Sequence, residues 1–208
     1  MDSFDPPIVA DRSALRDHYG PISGLAEKKV LKHLDGHARH FISLSPFLVL
    51  ATAASDGSAD ASPRGDAPGF VAVIDDTHLL IPDRIGNNRI DSHLNLVDRP
   101  GVGLIFFVPG IDETFRVNGR ARITTDPETL APHAVQSKPP RAAIIIEVDE
   151  AYFHCGKALK RARLWHDDHK VERASFPTLG KIIADQTNGC LAEEADKRLE
   201  DSYKNKLY

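Results

Sequence analysis

Between Pro46 and Phe153 the chain repeats one pattern, in which short apolar or alternating segments are separated by turn residues. The segments that this pattern predicts as strands are residues 47–52, 59–64, 70–74, 78–81, 102–108, 114–124 and 143–153. Six or seven short strands in succession are typical of a closed or nearly closed barrel. The sequence therefore predicts a mainly β fold.

Helical patterns precede the β region. Ser13 is placed to cap a short helix that ends near Gly20, and Ser23 to cap a second helix with an apolar stripe. Gly36 interrupts this pattern before it resumes over residues 37–44. We expect short N-terminal helices packed beside the barrel.

Further helices are predicted inside the β region and after it. Residues 88–97 carry apolar side chains at helical spacing, and Asp126 precedes a proline in a helix-start pattern. Residues 178–185 and 192–203 read as two amphipathic helices. We expect a single domain over residues 1–208, made of a helical segment (11–44), the barrel (46–155) and a C-terminal segment (156–208).

Composition limits the possible partners. The net charge of −4 and a pI near 6.2 provide no basic field for nucleic acid or an anionic membrane. The apolar runs are far too short to cross a bilayer, and the N-terminus lacks the layout of a signal peptide. Only two cysteines, Cys155 and Cys190, occur, which fits a reducing cytoplasm. We expect a soluble, cytoplasmic protein.

The first polar cluster, Ser62-Pro63-Arg64-Gly65-Asp66, ends a predicted strand. Because Pro63 restricts φ and Gly65 permits a tight turn, Arg64 stands on a stiff loop. An arginine held in this way suits bidentate binding of phosphate or carboxylate. The alternative is a surface loop with an internal contact between Arg64 and Asp66.

The second polar cluster, residues 82–89, joins a strand end to a helix start. Arg84 and Arg89 supply positive charge, and Gly86 allows a close approach of the backbone to an anion. Asn87 could instead serve as a plain helix cap. The two clusters at neighbouring strand ends together predict a phosphate site.

A third segment, residues 110–121, covers a hairpin and the start of a long strand. Strand alternation places Thr114, Arg116 and Asn118 on one face. Gly119 within the strand indicates a bulge or a close backbone approach.

These segments carry a resemblance to a known family. The order SPRGD, PDRIGNNRIDSHLNL, VGLIFF and TFRVNGRARI resembles the pyridoxamine 5′-phosphate oxidase-like, FMN-binding split-barrel family. The chain is most similar to a subgroup of uncharacterised FMN-dependent enzymes, which also carries the segment YFHCGKALKRARLW. The resemblance covers roughly residues 40–165 and implies a six-stranded Greek-key split barrel that dimerises with FMN at the subunit interface.

The resemblance also implies site residues. Arg64, with Gly65 beside it, would approach the flavin ring or ribityl chain. The residues at the following strand end would flank the isoalloxazine, and the loop after it would hold the phosphate. Thr114 matches a glutamine that contacts the flavin from the other subunit, and the C-terminal segment closes over the cofactor. The remaining residues so assigned are Leu80, Ile81, Pro82 and Asp83 at the ring, Arg84, Asn88 and Arg89 at the phosphate, Asn87 in the same loop, and Lys157, Arg161 and Trp165 in the C-terminal segment.

The chain departs from the vitamin-B6 oxidases of the family. Residues 65–69 intervene before Phe70, and the lysine that follows the arginine in those oxidases is missing here. No matching set of Tyr, Arg and Ser for pyridoxine phosphate is present either. The vitamin-B6 substrate therefore does not carry over.

Metal binding and covalent catalysis are alternatives that the residues favour less. His33, His37 and His40 have a spacing that would align them on one unbroken helix, but Gly36 lies among them and no cysteine or glutamate completes a set. His154 and Cys155 are adjacent on a strand, so their side chains diverge. We expect no metal site, and no residue stands out as a general acid or base.

Three functional hypotheses follow from these residues and this resemblance. The first is an FMN-dependent oxidoreductase of unknown substrate, in which Arg64 would stabilise negative charge on the reduced flavin. The second is a non-catalytic flavin- or haem-binding protein for storage or sensing. A third possibility is a reductase that uses the deazaflavin F420 in place of FMN.

Overall fold

The computed structural model describes residues 5–187 and 191–208, which form one antiparallel sheet with helices around it. The strands pair in the order β2-β1-β5-β6-β7-β4-β3. Strands β2 and β3 are the two edges of the sheet and do not pair with each other, so the sheet stays open. The strands are β1 (Phe47–Ala53), β2 (Ala59–Gly65), β3 (Ala72–Val73), β4 (His78–Pro82), β5 (Gly101–Phe107), β6 (Thr114–Thr124) and β7 (Ala143–His154). The predicted mainly β split barrel is confirmed, with the two-residue β3 as a seventh strand.

Strand alternation builds the core. Leu48 on β1 pairs with Phe106 on β5, and Phe106 pairs with Phe115 on β6. All three side chains are buried on the inner face of the sheet. Burial of such side chains stabilises the fold by about 1.5–3 kcal/mol each. These three side chains therefore contribute much of the packing between β1, β5 and β6.

The described helices flank the sheet and fill the connections between strands. They are α1 (Arg12–Tyr19), α2 (Gly24–Lys28), α3 (Gly36–Leu44), α4 (Asp91–Asp98), α5 (Pro127–Leu130), α6 (Lys157–Ala162), α7 (Leu179–Thr187) and α8 (Ala192–Asn205). Among them, none is long and apolar enough to span a membrane. The division of the chain into three segments of one domain stays a prediction.

Two helix starts differ from the prediction because an aspartate provides the cap. Helix α1 begins after Asp11, whose side chain accepts a hydrogen bond from the N–H of Ala14, and Ser13 lies inside the helix. Helix α3 begins at Gly36, because Asp35 accepts from the N–H of Ala38. The predicted break at Gly36 is therefore a helix start.

The apolar stripe predicted for the second helix is only partly helical. Helix α2 ends at Lys28, and Leu31 then pairs with Ala151 of β7 through two main-chain hydrogen bonds of 3.0 and 2.7 Å. Leu34 is fully buried in the core, whereas Leu25 is exposed. Pairing with the sheet replaces the helix here because it satisfies the main chain and buries the apolar side chains.

Helix α4 starts three residues later than predicted. Asn88 and Ile90 have φ values of 60° and 50°, a left-handed conformation that a helix cannot include. The helix then buries Ser92, His93 and Leu96 and exposes the apolar stripe on which its prediction rested. Val97 of that stripe is 74% exposed. Helix α4 thus turns a partly polar face toward the sheet.

The bulge predicted at Gly119 is confirmed. The pairing of β6 with β7 shifts register between Asn118 and Gly119, so one extra residue is accommodated there. A Cβ atom at Gly119 would overlap the main-chain oxygen of Glu147. The glycine is therefore required by the close approach of two backbones.

Gly119→Ala is expected to destabilise the protein by about 1–3 kcal/mol, because strands β6 and β7 must separate to admit the methyl group. Gly101→Ala is the matched control, since a Cβ atom there meets nothing within 4 Å. Urea unfolding of both variants measures the difference. Equal midpoints for the two variants would contradict the close backbone approach.

Candidate functional site

A polar cavity lies where the sheet fails to close. Its volume is about 370 Å³, within the range of small-molecule sites. Edge strand β2, the end of β4, the loop after β4 and the first turn of α4 form its walls. The lining residues are Asp60, Ser62, Pro63, Arg64, Gly65, Phe70, Pro82, Asp83, Arg84, Ile85, Gly86, Asn87, Asn88, Arg89, Ile90, Asp91, Ser92 and His93.

Strand register explains why polar side chains face this cavity. Arg64 pairs with Leu48 and Ser62 pairs with Leu50, and paired residues project to the same face of a sheet. Leu48 and Leu50 are fully buried, so Arg64 and Ser62 point to the inner side. Because β2 is an edge strand, no further strand covers them, and they border the cavity instead of the core.

Arg64 is a partly buried cation without a carboxylate partner. Its guanidinium donates to the hydroxyl of Ser62 and, over 2.9 Å, to the carbonyl of Pro63, and in the described part of the chain it forms no ion pair within 4 Å. Burial lowers the pKa of Arg64 from its ordinary value, and the carboxylates of Asp83 and Asp60 oppose that effect. A desolvated guanidinium of this kind favours an anionic or strongly polar ligand.

The loop between β4 and α4 exposes polar groups toward the same space. Arg89 is 76% exposed, and its Nε atom donates to Asp91 over 2.9 Å. The side chain of Asn88 accepts from Arg141 over 3.3 Å, which adds a cation beside the loop. Arg89 and Asn88 thus line the cavity with their side chains already engaged, by Asp91 and Arg141 respectively.

Arg84 is held by groups behind the cavity wall. Its Nε atom donates to Asp66 over 2.6 Å, and another nitrogen donates to the carbonyl of His133 over 2.9 Å. The Tyr208 hydroxyl donates to the second oxygen of Asp66 over 2.6 Å, and the Tyr208 ring lies 5.8 Å from the guanidinium. The sequence left open a contact between Arg64 and Asp66. In the structure Asp66 pairs with Arg84 instead.

Asp66 is a buried carboxylate whose charge depends on this cluster. Its side chain is 3% exposed. Burial alone would raise the pKa of Asp66, but hydrogen bonds from Tyr208, the Ala67 N–H and Arg84 outweigh it, so the pKa lies below its usual value. Asp66 therefore stays ionised and fixes the position of Arg84.

A buried polar network fixes the first turn of α4 against the sheet. The hydroxyl of Ser92 donates to Asp60 over 2.7 Å, and the hydroxyl of Thr52 donates to the same oxygen over 3.3 Å. The amide of Asn95 in turn donates to Thr52 over 3.0 Å. These bonds join α4 to β1 and β2 and so define the distance across the cavity.

His93 completes this wall without a hydrogen bond. Its residue is 9% exposed, and both ring nitrogens are buried and unpaired among the described residues. The Nε2 atom lies 3.6 Å from the Oδ1 atom of Asp83, which is longer than a hydrogen bond.

Most of the predicted cofactor residues meet at this cavity. Eight line it, namely Arg64, Gly65, Pro82, Asp83, Arg84, Asn87, Asn88 and Arg89. Ile81 is buried in the main core, whereas Leu80 is buried in a separate cluster with Leu130 and Ala143. Their roles toward a cofactor stay predictions.

The other four predicted residues lie elsewhere in the same subunit. Thr114 is buried beside a second cavity of about 360 Å³ on the outer side of the sheet. Lys157 and Arg161 belong to α6, which borders that cavity. The Trp165 indole donates to the carbonyl of Ile111 over 2.9 Å, so it anchors the C-terminal segment to the connection between β5 and β6.

Sequence reasoning missed Asp60, Ser92 and His93. Asp60 occurs two residues before Ser62 on the same strand face, a period-2 signal that could have found it. Ser92 and His93 carry no such signal, because the apolar stripe of their helix indicates the opposite face.

The alternative sites are separated or incomplete in the structure. His33 precedes α3 whereas His37 and His40 lie within it, so the three are not aligned on one helix. Over residues 5–187 and 191–208, no group of three or more His, Cys, Asp or Glu side chains is placed to hold a metal ion. Cys155 is exposed, and Cys190 lies outside the described residues.

The open antiparallel sheet, with a polar cavity where it fails to close, is a split barrel. Residues 34–155, more than half of the chain, match the family model described as pyridoxamine 5′-phosphate oxidase. The chain belongs to this family. No curated protein matches the chain.

Solved structures resemble the chain at low identity. The HupZ protein of Group A Streptococcus is 18% identical, covering 57% of this chain and 92% of that chain with a TM-score of 0.49. A conserved hypothetical protein from Mycobacterium tuberculosis is 16% identical, covering 68% and 94% with a TM-score of 0.45. An F420 reductase is 19% identical, covering 56% and 94% with a TM-score of 0.41. No residue role is transferred from these proteins.

Asp66→Asn is expected to destabilise the protein at neutral pH by about 1.5–3 kcal/mol, because Arg84 loses a charge-assisted hydrogen bond. The folded-state pKa of Asp66 is lowered, so its contribution is present above 3.8 and is lost as the pH falls through the folded value. Urea unfolding at neutral and acidic pH measures both effects.

The control for this variant is Asp76→Asn, which removes the exposed ion pair between Asp76 and Arg39. Exposed pairs contribute at most about 1 kcal/mol. A deficit of Asp66→Asn that persists unchanged in acid would show that the loss comes from packing and not from charge.

Proposed function

We propose that the protein is an FMN-binding flavoprotein, and that it acts as an FMN-dependent oxidoreductase on a substrate still to be identified. The observation that carries this proposal is Arg64, a partly buried guanidinium without an ion-pair partner in the polar cavity between the sheet edges. Membership of the pyridoxamine 5′-phosphate oxidase family supports FMN, a cofactor commonly bound in that family.

The lining of the cavity offers arginine side chains to a flavin phosphate, beside the carboxylates of Asp60, Asp83 and Asp91. Asn88, Arg89 and the N–H groups in the first turn of α4 would hold the phosphate, with Arg84 fixed beside them by Asp66. Arg64 would bind the polar edge of the ring or the ribityl chain. Pro82 and Asp83 at the end of β4 would flank the ring.

FMN, when bound, supplies the electron transfer, and the chain supplies binding, orientation and electrostatics. Arg64 provides fixed positive charge in a desolvated position, where it stabilises negative charge more than it would in water. The network of Ser92, Asp60 and Thr52 keeps the two walls of the cavity at a constant separation. The vitamin-B6 substrate is not part of this proposal.

We further propose a homodimer through the outer face of the sheet, defined by Phe47, Val49, Ile105 and Phe107. These side chains are only partly covered, and the rings of Phe47 and Phe107 lie 6.1 Å apart. An outward face of an antiparallel sheet is usually polar, so an apolar one indicates an interface.

The position of Thr114, the residue predicted to contact the cofactor from the other subunit, supports this arrangement. Thr114 and helix α6 border the cavity on the outer side of the sheet, together with Val49 and Ile105. A second copy packed on this face would bring its own Thr114 and α6 toward the first subunit's β2. This accounts for their distance from the polar cavity within one chain.

Purified protein is expected to be yellow, with flavin absorption bands, and to release FMN on denaturation.

Arg64→Ala and Arg89→Ala together should weaken FMN binding by several kcal/mol, at about 1.5–3 kcal/mol for each charged hydrogen bond. Fluorescence titration of flavin-free protein with FMN measures the dissociation constant. Mass spectrometry of the released ligand distinguishes FMN from F420 or haem.

Arg39→Ala is the matched control, because Arg39 pairs with Asp76 outside the cavity and should leave FMN affinity unchanged. Colourless protein that gains no flavin on titration would refute the FMN proposal. Unchanged affinity in the double variant would instead place the flavin elsewhere.

Ile105→Lys is expected to convert the dimer to a monomer and to weaken FMN binding, because a lysine at the centre of the outer face would lose its hydration on association. Ile74→Lys is the control, since Ile74 is 55% exposed at the β3–β4 hairpin. Light scattering and FMN titration measure both properties. A wild-type protein that binds FMN as a monomer would overturn the dimer proposal alone.

A further inference from the structure

The His93 side chain lies in the wall of the polar cavity and takes no part in the contacts described above. It is nine-tenths buried, and neither ring nitrogen has a hydrogen-bond partner in the described part of the chain. Its neighbour Ser92 is bonded to Asp60, and Asp83 stands 3.6 Å from the Nε2 atom. The imidazole is thus packed like a core residue but keeps its full hydrogen-bonding capacity.

Native proteins leave few buried polar groups unpaired, and those few commonly mark a ligand or functional site. An apolar side chain at position 93 would pack in this wall without the unpaired nitrogens. His93 is among the residues that line the polar cavity, and its ring nitrogens are shielded from solvent, so a cofactor atom reaches them when the side chain turns toward the cavity.

We propose that His93 is a cofactor-binding residue whose imidazole forms a hydrogen bond to a polar atom of bound FMN. This inference rests on the proposed FMN function. The ring can accept from a hydroxyl of the ribityl chain or donate to an oxygen of the cofactor.

Asp83 acts in this arrangement as a positioning residue. A carboxylate beside one imidazole nitrogen favours the tautomer that carries hydrogen on that nitrogen, which leaves the other nitrogen for the ligand. The separation of 3.6 Å needs to shorten by only a few tenths of an ångström to form this bond. Cofactor binding would therefore draw His93 and Asp83 together.

His93→Leu separates this role from a purely structural one. Because the substitution removes unpaired nitrogens, the melting temperature of the flavin-free protein should not fall. FMN affinity should fall about 3–10-fold, the effect of losing one hydrogen bond to the ligand. His93→Gln retains donor and acceptor groups and should recover part of the affinity.

His78→Leu is the matched control. His78 is half-buried on β4 but bonds to Asp75 over 3.0 Å and lies outside the cavity. The control should show the opposite pattern, with a lower melting temperature and unchanged FMN affinity. Flavin-free protein is prepared from each variant, and thermal melts and FMN fluorescence titrations are recorded.

The outcomes are separable. Wild-type FMN affinity in His93→Leu would overturn the role of His93 and leave the proposed function intact. Loss of FMN affinity together with loss of thermal stability in both His93 variants would also overturn it, because packing would then explain the effect. A wild-type protein that binds no FMN would overturn the proposed function, and this inference with it.

Discussion

The structure depends on one constraint, the failure of the two sheet edges to pair. Strand β2 at one edge and strands β4 and β3 at the other leave a gap that main-chain hydrogen bonds do not close. The inner face of an edge strand beside such a gap borders neither core nor bulk solvent. Polar side chains are tolerated there, and Arg64 occupies this position. The candidate site is therefore a consequence of where the barrel opens.

Side-chain hydrogen bonds, and not strand pairing, connect the structure beside this gap. Helix α4 is bound to the β2 side of the gap by Ser92 and Asn95, which contact Asp60 on β2 and Thr52 on β1. Buried networks of this kind rigidify a structure only when each member is satisfied. His93 lies beside this network and is not hydrogen-bonded to it, so its unpaired nitrogens add nothing to the stability of the network.

Much of the fold could be predicted because strands and turns depend on local patterns. The alternation in Thr114–Thr124 and the bulge at Gly119 were both readable from side-chain period and residue size. Helix α4 was predicted as an element, but its orientation was not. Its apolar stripe indicates one buried face, and the structure buries the opposite one because Asp60 and Thr52 lie on the strands it covers.

The sequence by itself determined the strand succession, the family and the two polar clusters at 62–66 and 82–89, because these depend on neighbours in the chain. Only the tertiary structure decided how the charges are paired. Arg84 contacts Asp66 and Tyr208, residues 18 and 124 positions away, whereas Arg64 has no carboxylate within 4 Å in the described part of the chain. The physical reason is that pairing among arginines and carboxylates follows distance and burial in space, and neither is encoded in local spacing.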